Sequence, residues 1–234
     1  MRLLLDYFSK QLYMQEPNAH PLLQDLVFEQ YLVPNSTIQL AVPNFVQLQN
    51  LYQLGGLDFP YWAKIWPSAI ALANFLQENP SYIQDKKLVE LAAGIGLPSF
   101  VAANYATHIC CSDYAPAAIA LLEKNIAANQ VSNISSALIN WQAIPKFLAA
   151  EVLLLSDINY NPTDFETVFL MLEQFIQQGT TILLSTPQRL VAKDFIAKLL
   201  PWCVLNKEQE ISFNNESALI NIFVLQNNPL HKIS

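Results

Sequence analysis

From Lys86 onward, short apolar runs alternate with stretches whose apolar positions recur every three or four residues. "KLVELAA", "THICCSD", "ISSALIN", "EVLLLSD" and "TTILLST" read as strands. Between them, "PSFVAANYA", "APAAIALLEKNIAANQ" and residues 189–200 read as helices. Pro116 sits near the first turn of the second of these, and Ile119, Leu122 and Ile126 form its predicted inward stripe. Phe165, Val168, Phe169, Leu172 and Ile176 mark a further, strongly periodic helix that Gly179 terminates. Two strands close the chain, around "KEQEISF" and "SALINIFVLQ", joined through "NNES". Continuous apolar strands alternating with helices imply a parallel sheet covered on both faces. The short Asn-rich link forces its two strands to be antiparallel, because parallel neighbours need a long crossover. The predicted fold class is α/β: a doubly wound, mostly parallel seven-strand sheet ending in an antiparallel hairpin.

The first part of the chain has a different pattern. "LVFEQYLV" and "TIQLAVP" flank Pro34, Asn35 and Ser36 and predict a β-hairpin. Gly55 and Gly56 predict a hinge or tight turn, and Pro67 opens a helix with a stripe at Ala69, Leu72, Ala73 and Leu76. Residues 1–60 are expected to be an accessory hairpin and helix segment capping the substrate side, and 61–234 the main domain.

Composition narrows the function classes. Hydrophobic residues make up 53% of the 234 positions and charged ones 13%, which fits a large buried core and argues against disorder. A net charge of −7 with scattered Lys and Arg argues against a nucleic-acid partner. No run approaches the ~18 apolar residues of a membrane span, and "MRLLLDYFSK" is too short an apolar stretch for a signal peptide. Three cysteines, two of them adjacent in a strand, predict buried thiols in a reducing cytoplasm. His20, His108 and His231 have no ligand spacing, so no metal is expected. The oligomeric state is open.

Candidate chemistry gathers at the strand ends. Gly94 and Gly96, two of only five glycines, follow the first strand of the alternating region, where a doubly wound sheet binds ligands. A tight turn without a ligand fits the same pair. Pro98 removes an N–H that a diphosphate would use, and Glu90 faces the crevice if strand alternation holds to its end. A carboxylate there repels a diphosphate and attracts a cationic ligand. S-adenosyl-L-methionine, with its sulfonium and α-ammonium, is therefore favoured over NAD or ATP. Asp113, nineteen residues after Gly94, suits ribose hydroxyls and equally suits a helix N-cap. Trp141 is either an adenine wall or a core residue, and the Asn140 amide is within reach of an adenine edge.

These residues resemble the class I (seven-strand) S-adenosylmethionine-dependent methyltransferases. More narrowly, the chain is similar to small protein-lysine methyltransferases related to nicotinamide N-methyltransferase, over roughly residues 59–225. "VELAAGIGLP" resembles the family's acidic glycine-rich loop and "SDYAP" its ribose acid. "INWQ" resembles the adenine-edge segment, "SDINYNP" the Asp-x-x-Tyr motif, and "YWAKIWPSAIALANFL" the aromatic–Trp–Pro helix start. The resemblance implies cofactor contacts at Trp66, Glu90, Ala92, Gly94, Gly96, Asp113, Tyr114, Asn140, Trp141 and Ser156. Trp62 is expected as packing or substrate-side wall. Ala92 stands where the family's first glycine falls, and Asn161 where an acid is common.

Asp157 and Tyr160 are then the candidates for chemistry. Methyl transfer is an in-line displacement at an activated carbon, so the protein chiefly positions the nucleophile. A lysine amine, with a pKa near ~10.4, must lose its proton before it attacks. Asp157 can hold and orient it, and Tyr160 can offer a hydrogen bond and an electron-rich wall. The bland alternative is a turn cap and a packed tyrosine. A protein lysine is the expected acceptor, with a small amine or heteroaromatic nitrogen as the second reading and a non-catalytic cofactor-binding module as the third. A dinucleotide oxidoreductase is disfavoured by Glu90 and Pro98.

Overall fold

The computed structural model describes residues 20–33, 36–44, 46, 49–50, 60–145, 148–213 and 216–227. In chain order the elements are β1 (Leu26–Val33), β2 (Ser36–Pro43), α1 (Pro67–Glu78), β3 (Lys87–Glu90) and α2 (Leu97–Ala102). There follow β4 (His108–Asp113), α3 (Pro116–Asn129), β5 (Ile134–Leu138), β6 (Val152–Ser156) and α4 (Phe165–Gln177). The chain continues through β7 (Thr181–Pro187), α5 (Lys193–Leu199), β8 (Cys203–Phe213) and β9 (Glu216–Leu225).

Seven strands form one sheet in the order β5-β4-β3-β6-β7-β9-β8. The first five are mutually parallel, and β9 runs antiparallel to both β7 and β8. The expected fold class is the observed one. Its cause is visible in the strand residues. Leu88, Val152, Leu154 and Leu183 pack on one face beneath α1, α2, α3 and the β1–β2 hairpin. Their neighbours Val89, Leu153, Leu155, Ile182 and Leu184 pack on the other, beneath α4 and α5. A strand buried on both faces has no polar phase, so these strands read as unbroken apolar runs. Each such leucine contributes about 1.5–3 kcal/mol by leaving water.

The strand order reverses between β3 and β6, and the carboxyl ends of β3, β4 and β6 open on that crevice. β3 stops at Glu90, earlier than its apolar run suggests, because Ala92 turns into the left-handed region with φ 53°. The predicted helix over 189–200 also starts late. A short turn occupies Leu190–Ala192, and Arg189 stays extended.

The hairpin docks through an unusual arrangement. Asn125 and Asn129, one turn apart on α3, face the outer edge of β2. Asn125 Oδ1 accepts the Ala41 N–H (2.7 Å) and its amide donates to the Ala41 carbonyl (3.2 Å). Asn129 repeats this with Gln39, at 2.9 and 2.6 Å. The helix thereby completes a strand edge that would otherwise be unpaired. This also rotates the buried face of α3. Leu121, Leu122 and Asn125 are fully buried, whereas Ile119 and Ile126 of the predicted stripe are half-buried. Val33 pairs with Ser36 and Phe213 with Glu216. Pro34, Asn35, Gly55, Gly56, Asn214 and Asn215 lie outside the described residues. No described helix is long and apolar enough to cross a membrane.

Asn125→Ala strands two buried backbone groups of Ala41 and is expected to destabilise the protein by roughly 1–3 kcal/mol for each. Asn129→Ala, at a more exposed position, has the smaller effect. Urea unfolding of both variants checks the order.

Candidate active site

The loop after β3 sets the geometry. Ala92, Gly94 and Gly96 all take positive φ, at 53°, 55° and 82°. At Gly94 the reason is also steric. A Cβ there would lie 3.0 Å from the Trp62 carbonyl oxygen and 3.2 Å from its Cα. At Gly96 a Cβ would meet Leu122 at 2.7 Å and Cys111 Sγ at 3.1 Å. Ala92 carries its Cβ in a conformation that costs an L-residue about 1–2 kcal/mol.

Glu90 does not face the crevice, contrary to the expectation from strand alternation. Its carboxyl is fully buried beneath the loop and is absent from the cavity wall. It accepts the Ser99 N–H (3.1 Å) and the Ser99 hydroxyl, so it caps the first turn of α2 from inside. Alternation ends at the loop, and Glu90 turns toward the helix rather than the solvent. Burial pushes its pKa up to about 8, against the opposing pull of the Ser99 hydrogen bonds. Its carboxyl is therefore not among the groups that meet a ligand in the cavity. Pro98 has no N–H and the Ser99 N–H is taken, so two of the first three positions of α2 offer no donor to an outside phosphate.

Asn140 also differs from expectation. Its side chain accepts the Gln142 N–H (2.9 Å), capping the short turn Trp141–Ala143, and it does not line the cavity. A local backbone donor is nearer than any ligand, and asparagine takes it.

The other expected residues converge on one cavity. Ala92, Gly94 and Gly96 line it from the loop, and Asp113, Tyr114 and Trp141 from the ends of β4 and β5. Ser156 at the end of β6 and Asp157 and Tyr160 beyond it also line it, as do Trp62 and Trp66 from the segment before α1. Asp113 does both things its position allows: Oδ2 accepts the Gly94 N–H (2.9 Å), Oδ1 accepts the Ala115 N–H (3.0 Å), and the carboxylate still borders the cavity. Burial raises its pKa, and these backbone donors pull it back.

Some lining residues were not singled out from the sequence. Tyr61 and Lys64 lie in the aromatic segment before α1 without having been assigned a role, and Arg189 belongs to no motif, so only tertiary structure brings it in. Tyr61 stacks on Tyr160 with ring centroids 4.9 Å apart, and the Trp66 indole N–H donates to the Tyr61 carbonyl (2.8 Å). Arg189 forms a two-pronged ion pair with Asp157, the second contact at 3.0 Å. Asp157 has φ 57°, in the left-handed region, as Ala92 does in the loop after β3. Among the described residues no group of three or more His, Cys, Asp or Glu is placed to hold a metal ion.

A family description of lysine methyltransferases matches residues 61–201. The chain belongs to the lysine methyltransferase family. The matched segment holds the aromatic entry, the glycine loop, Asp113, Asp157 and Arg189. Similar proteins include a protein N-terminal and lysine N-methyltransferase of Schizosaccharomyces pombe, 37% identical over 54% of this chain and 54% of that one. The mouse electron transfer flavoprotein beta subunit lysine methyltransferase is 26% identical over 68% of this chain and 62% of its own length. A histone-arginine methyltransferase of Xenopus laevis is 28% identical over 49% and 51%. The chain thus spans about half or somewhat more of the length of these relatives. Among solved structures, the N-methyltransferase NodS of Bradyrhizobium japonicum in complex with S-adenosyl-L-homocysteine superposes with a TM-score of 0.57. That match covers 76% of this chain and 97% of the other at 15% identity. At that identity it speaks for the fold.

Two outcomes follow from the loop. The folded Glu90 carboxyl keeps its proton to about pH 8, whereas the unfolded one loses it near 4.5. Its contribution to stability is therefore complete below the unfolded value and is lost as pH rises through 8. Glu90→Gln, which cannot ionise, should raise Tm relative to wild type more at pH 8.5 than at pH 5, in thermal scans at both pH values. Gly94→Ala should weaken binding of S-adenosyl-L-homocysteine at least tenfold by calorimetry, because the loop must retreat from Trp62.

Proposed function

We propose that this member of the lysine methyltransferase family transfers a methyl group from S-adenosyl-L-methionine to a protein amine, with lysine as the acceptor. The observation that carries the reading is the continuity of one cavity. It joins the loop and Asp113 on one side to Asp157, Tyr160 and Tyr61 on the other. A donor held by the first set presents its methyl group to an acceptor held by the second.

The residues fit that cofactor. Asp113, whose carboxylate borders the cavity, is our candidate for the ribose hydroxyls, and Trp66 and Trp141, also in its wall, are our candidates for the faces of the nucleoside. The blocked first turn of α2 suits a ligand without phosphates. S-adenosyl-L-methionine supplies a sulfonium-activated methyl group. The protein's part is to orient a neutral amine in line with it, the amine having given up its proton to solvent before it attacks. Asp157 is the acceptor-side carboxylate for that orientation. Tyr160 is pushed up to about 12, chiefly by burial and then by Tyr114, Asp164, Tyr61 and Asp113. It stays a phenol at neutral pH and donates a hydrogen bond rather than acting as a base.

The rim supports a macromolecular acceptor. Tyr61 and Tyr114 of the cavity wall are open to solvent, and Leu190 and Val191, which follow Arg189 in the chain, are 95% and 54% exposed. Exposed apolar side chains around a catalytic mouth suit a protein surface better than a small, enclosed amine. The relatives named for lysine, arginine and N-terminal methylation point the same way. In this reading 61–234 is the catalytic domain and 1–60 an accessory segment, whose described hairpin docks on α3 and lines no part of the cavity. The free thiols of Cys110, Cys111 and Cys203 support a reducing, cytoplasmic setting.

The test has two parts. S-adenosyl-L-homocysteine should raise Tm and NAD should not. Methyl label from the cofactor, offered to a cell extract, should enter protein and be lost with Asp157→Ala while the thermal shift persists. Label chiefly in RNA, or stabilisation by NAD alone, overturns the reading.

A further inference from the structure

The ion pair inside the cavity presents a problem for amine methylation. A half-buried carboxylate beside an acceptor amine favours the ammonium form, and an ammonium has no lone pair with which to attack. Asp157, with its side chain 12% exposed, would by itself hold the acceptor in its unreactive state. Its two oxygens are instead engaged by the Arg189 guanidinium.

Both partners adopt backbone conformations that sequence alone disfavours. Asp157 is left-handed, and Arg189 remains extended (φ −124°, ψ 128°) where the apolar period predicts helix. The extended conformation brings Arg189 into the cavity wall. The other charged and titratable groups there are differently disposed. Asp113 is held by the N–H groups of Gly94 and Ala115, and Lys64 Nζ lies 4.9 Å over the Trp66 ring. Tyr61, Tyr114 and Tyr160 complete the wall, with Asp164 near Tyr160. Among the described residues, Arg189 is the cation paired with Asp157.

We propose that Arg189 is a positioning and charge-tuning residue: by neutralising Asp157, it lets that carboxylate orient the acceptor amine through a hydrogen bond without trapping it as an ammonium. The guanidinium never deprotonates at physiological pH, so the compensation is constant across the working range. Burial raises the Asp157 pKa against the opposing pull of Arg189, so with Arg189 removed an incoming ammonium becomes the cation that keeps the carboxylate ionised. The cavity then binds cations more tightly and uses them less well. This rests on the reading of Asp157 as the group that meets the acceptor amine.

The experiment compares wild type, Arg189→Gln, Arg189→Met and Arg189→Lys in the full chain. The thermal shift with S-adenosyl-L-homocysteine reports that each site is folded. In the presence of that product, binding of n-butylammonium, a lysine side-chain mimic, is measured at pH 7 by calorimetry. The two neutral variants should bind it about tenfold more tightly than wild type, and Arg189→Lys should resemble wild type. Adding Asp157→Asn to either neutral variant should abolish the gain. With extract protein as acceptor, the rising limb of rate against pH should move up by about one unit in the neutral variants only. A neutral variant that folds but keeps both the wild-type affinity and the wild-type limb overturns the proposal. Failure of wild type itself to label protein overturns the enzymatic reading instead, and the butylammonium comparison still decides the role of Arg189.

Discussion

The close approach of the Gly94 backbone to the Trp62 carbonyl is the contact on which the site depends. It locks the segment before α1 against the loop after β3, so an aromatic wall and a strand-end loop enclose one space. No side chain fits between them. The Glu90 carboxyl anchors the same loop from beneath through Ser99, and Asp113 anchors it from the side through the Gly94 N–H. The loop is thus held from three directions before any ligand arrives, which is what preorganisation requires.

The acids around the cleft share an electrostatic difficulty and meet it differently. A carboxylate removed from water must be protonated, hydrogen-bonded or paired. Glu90 keeps its proton, Asp113 collects backbone N–H groups, and Asp157 takes a guanidinium. These differences sort the roles. A protonated acid beneath a loop supports structure. One satisfied by backbone but bordering the cavity remains able to accept hydroxyls. An ion-paired one in the cavity wall, its charge compensated, can accept a hydrogen bond without holding the donor as a cation.

Much of this was legible in the chain. Strands buried on both faces have no polar phase, so their existence and parallel arrangement follow from local pattern, as does the antiparallel ending from a short Asn-rich link. The motifs at the ends of those strands were legible for the same reason: in a doubly wound sheet, strand ends and ligand share one edge. Asn125 and Asn129 were not legible as a docking device, since two asparagines on a helix carry no signal until an unpaired strand edge is set beside them.

Local periodicity, then, determined the sheet, its helical layers and the strand ends that carry Gly94, Gly96 and Asp113, while Asp157 and Tyr160 were marked by the resemblance of "SDINYNP" to a family motif. Tertiary structure alone decided which way each polar side chain turned. Glu90 and Asn140 sit in the motif yet face a helix and a turn, because the nearest unsatisfied backbone donor outcompetes a distant ligand. Arg189 sits in no motif yet reaches the cavity, because its partner Asp157 lies thirty-two residues earlier in the chain. Spacing along a chain encodes secondary structure through short-range sterics, whereas the pairing of charges depends on distances that exist only after the chain has closed on itself.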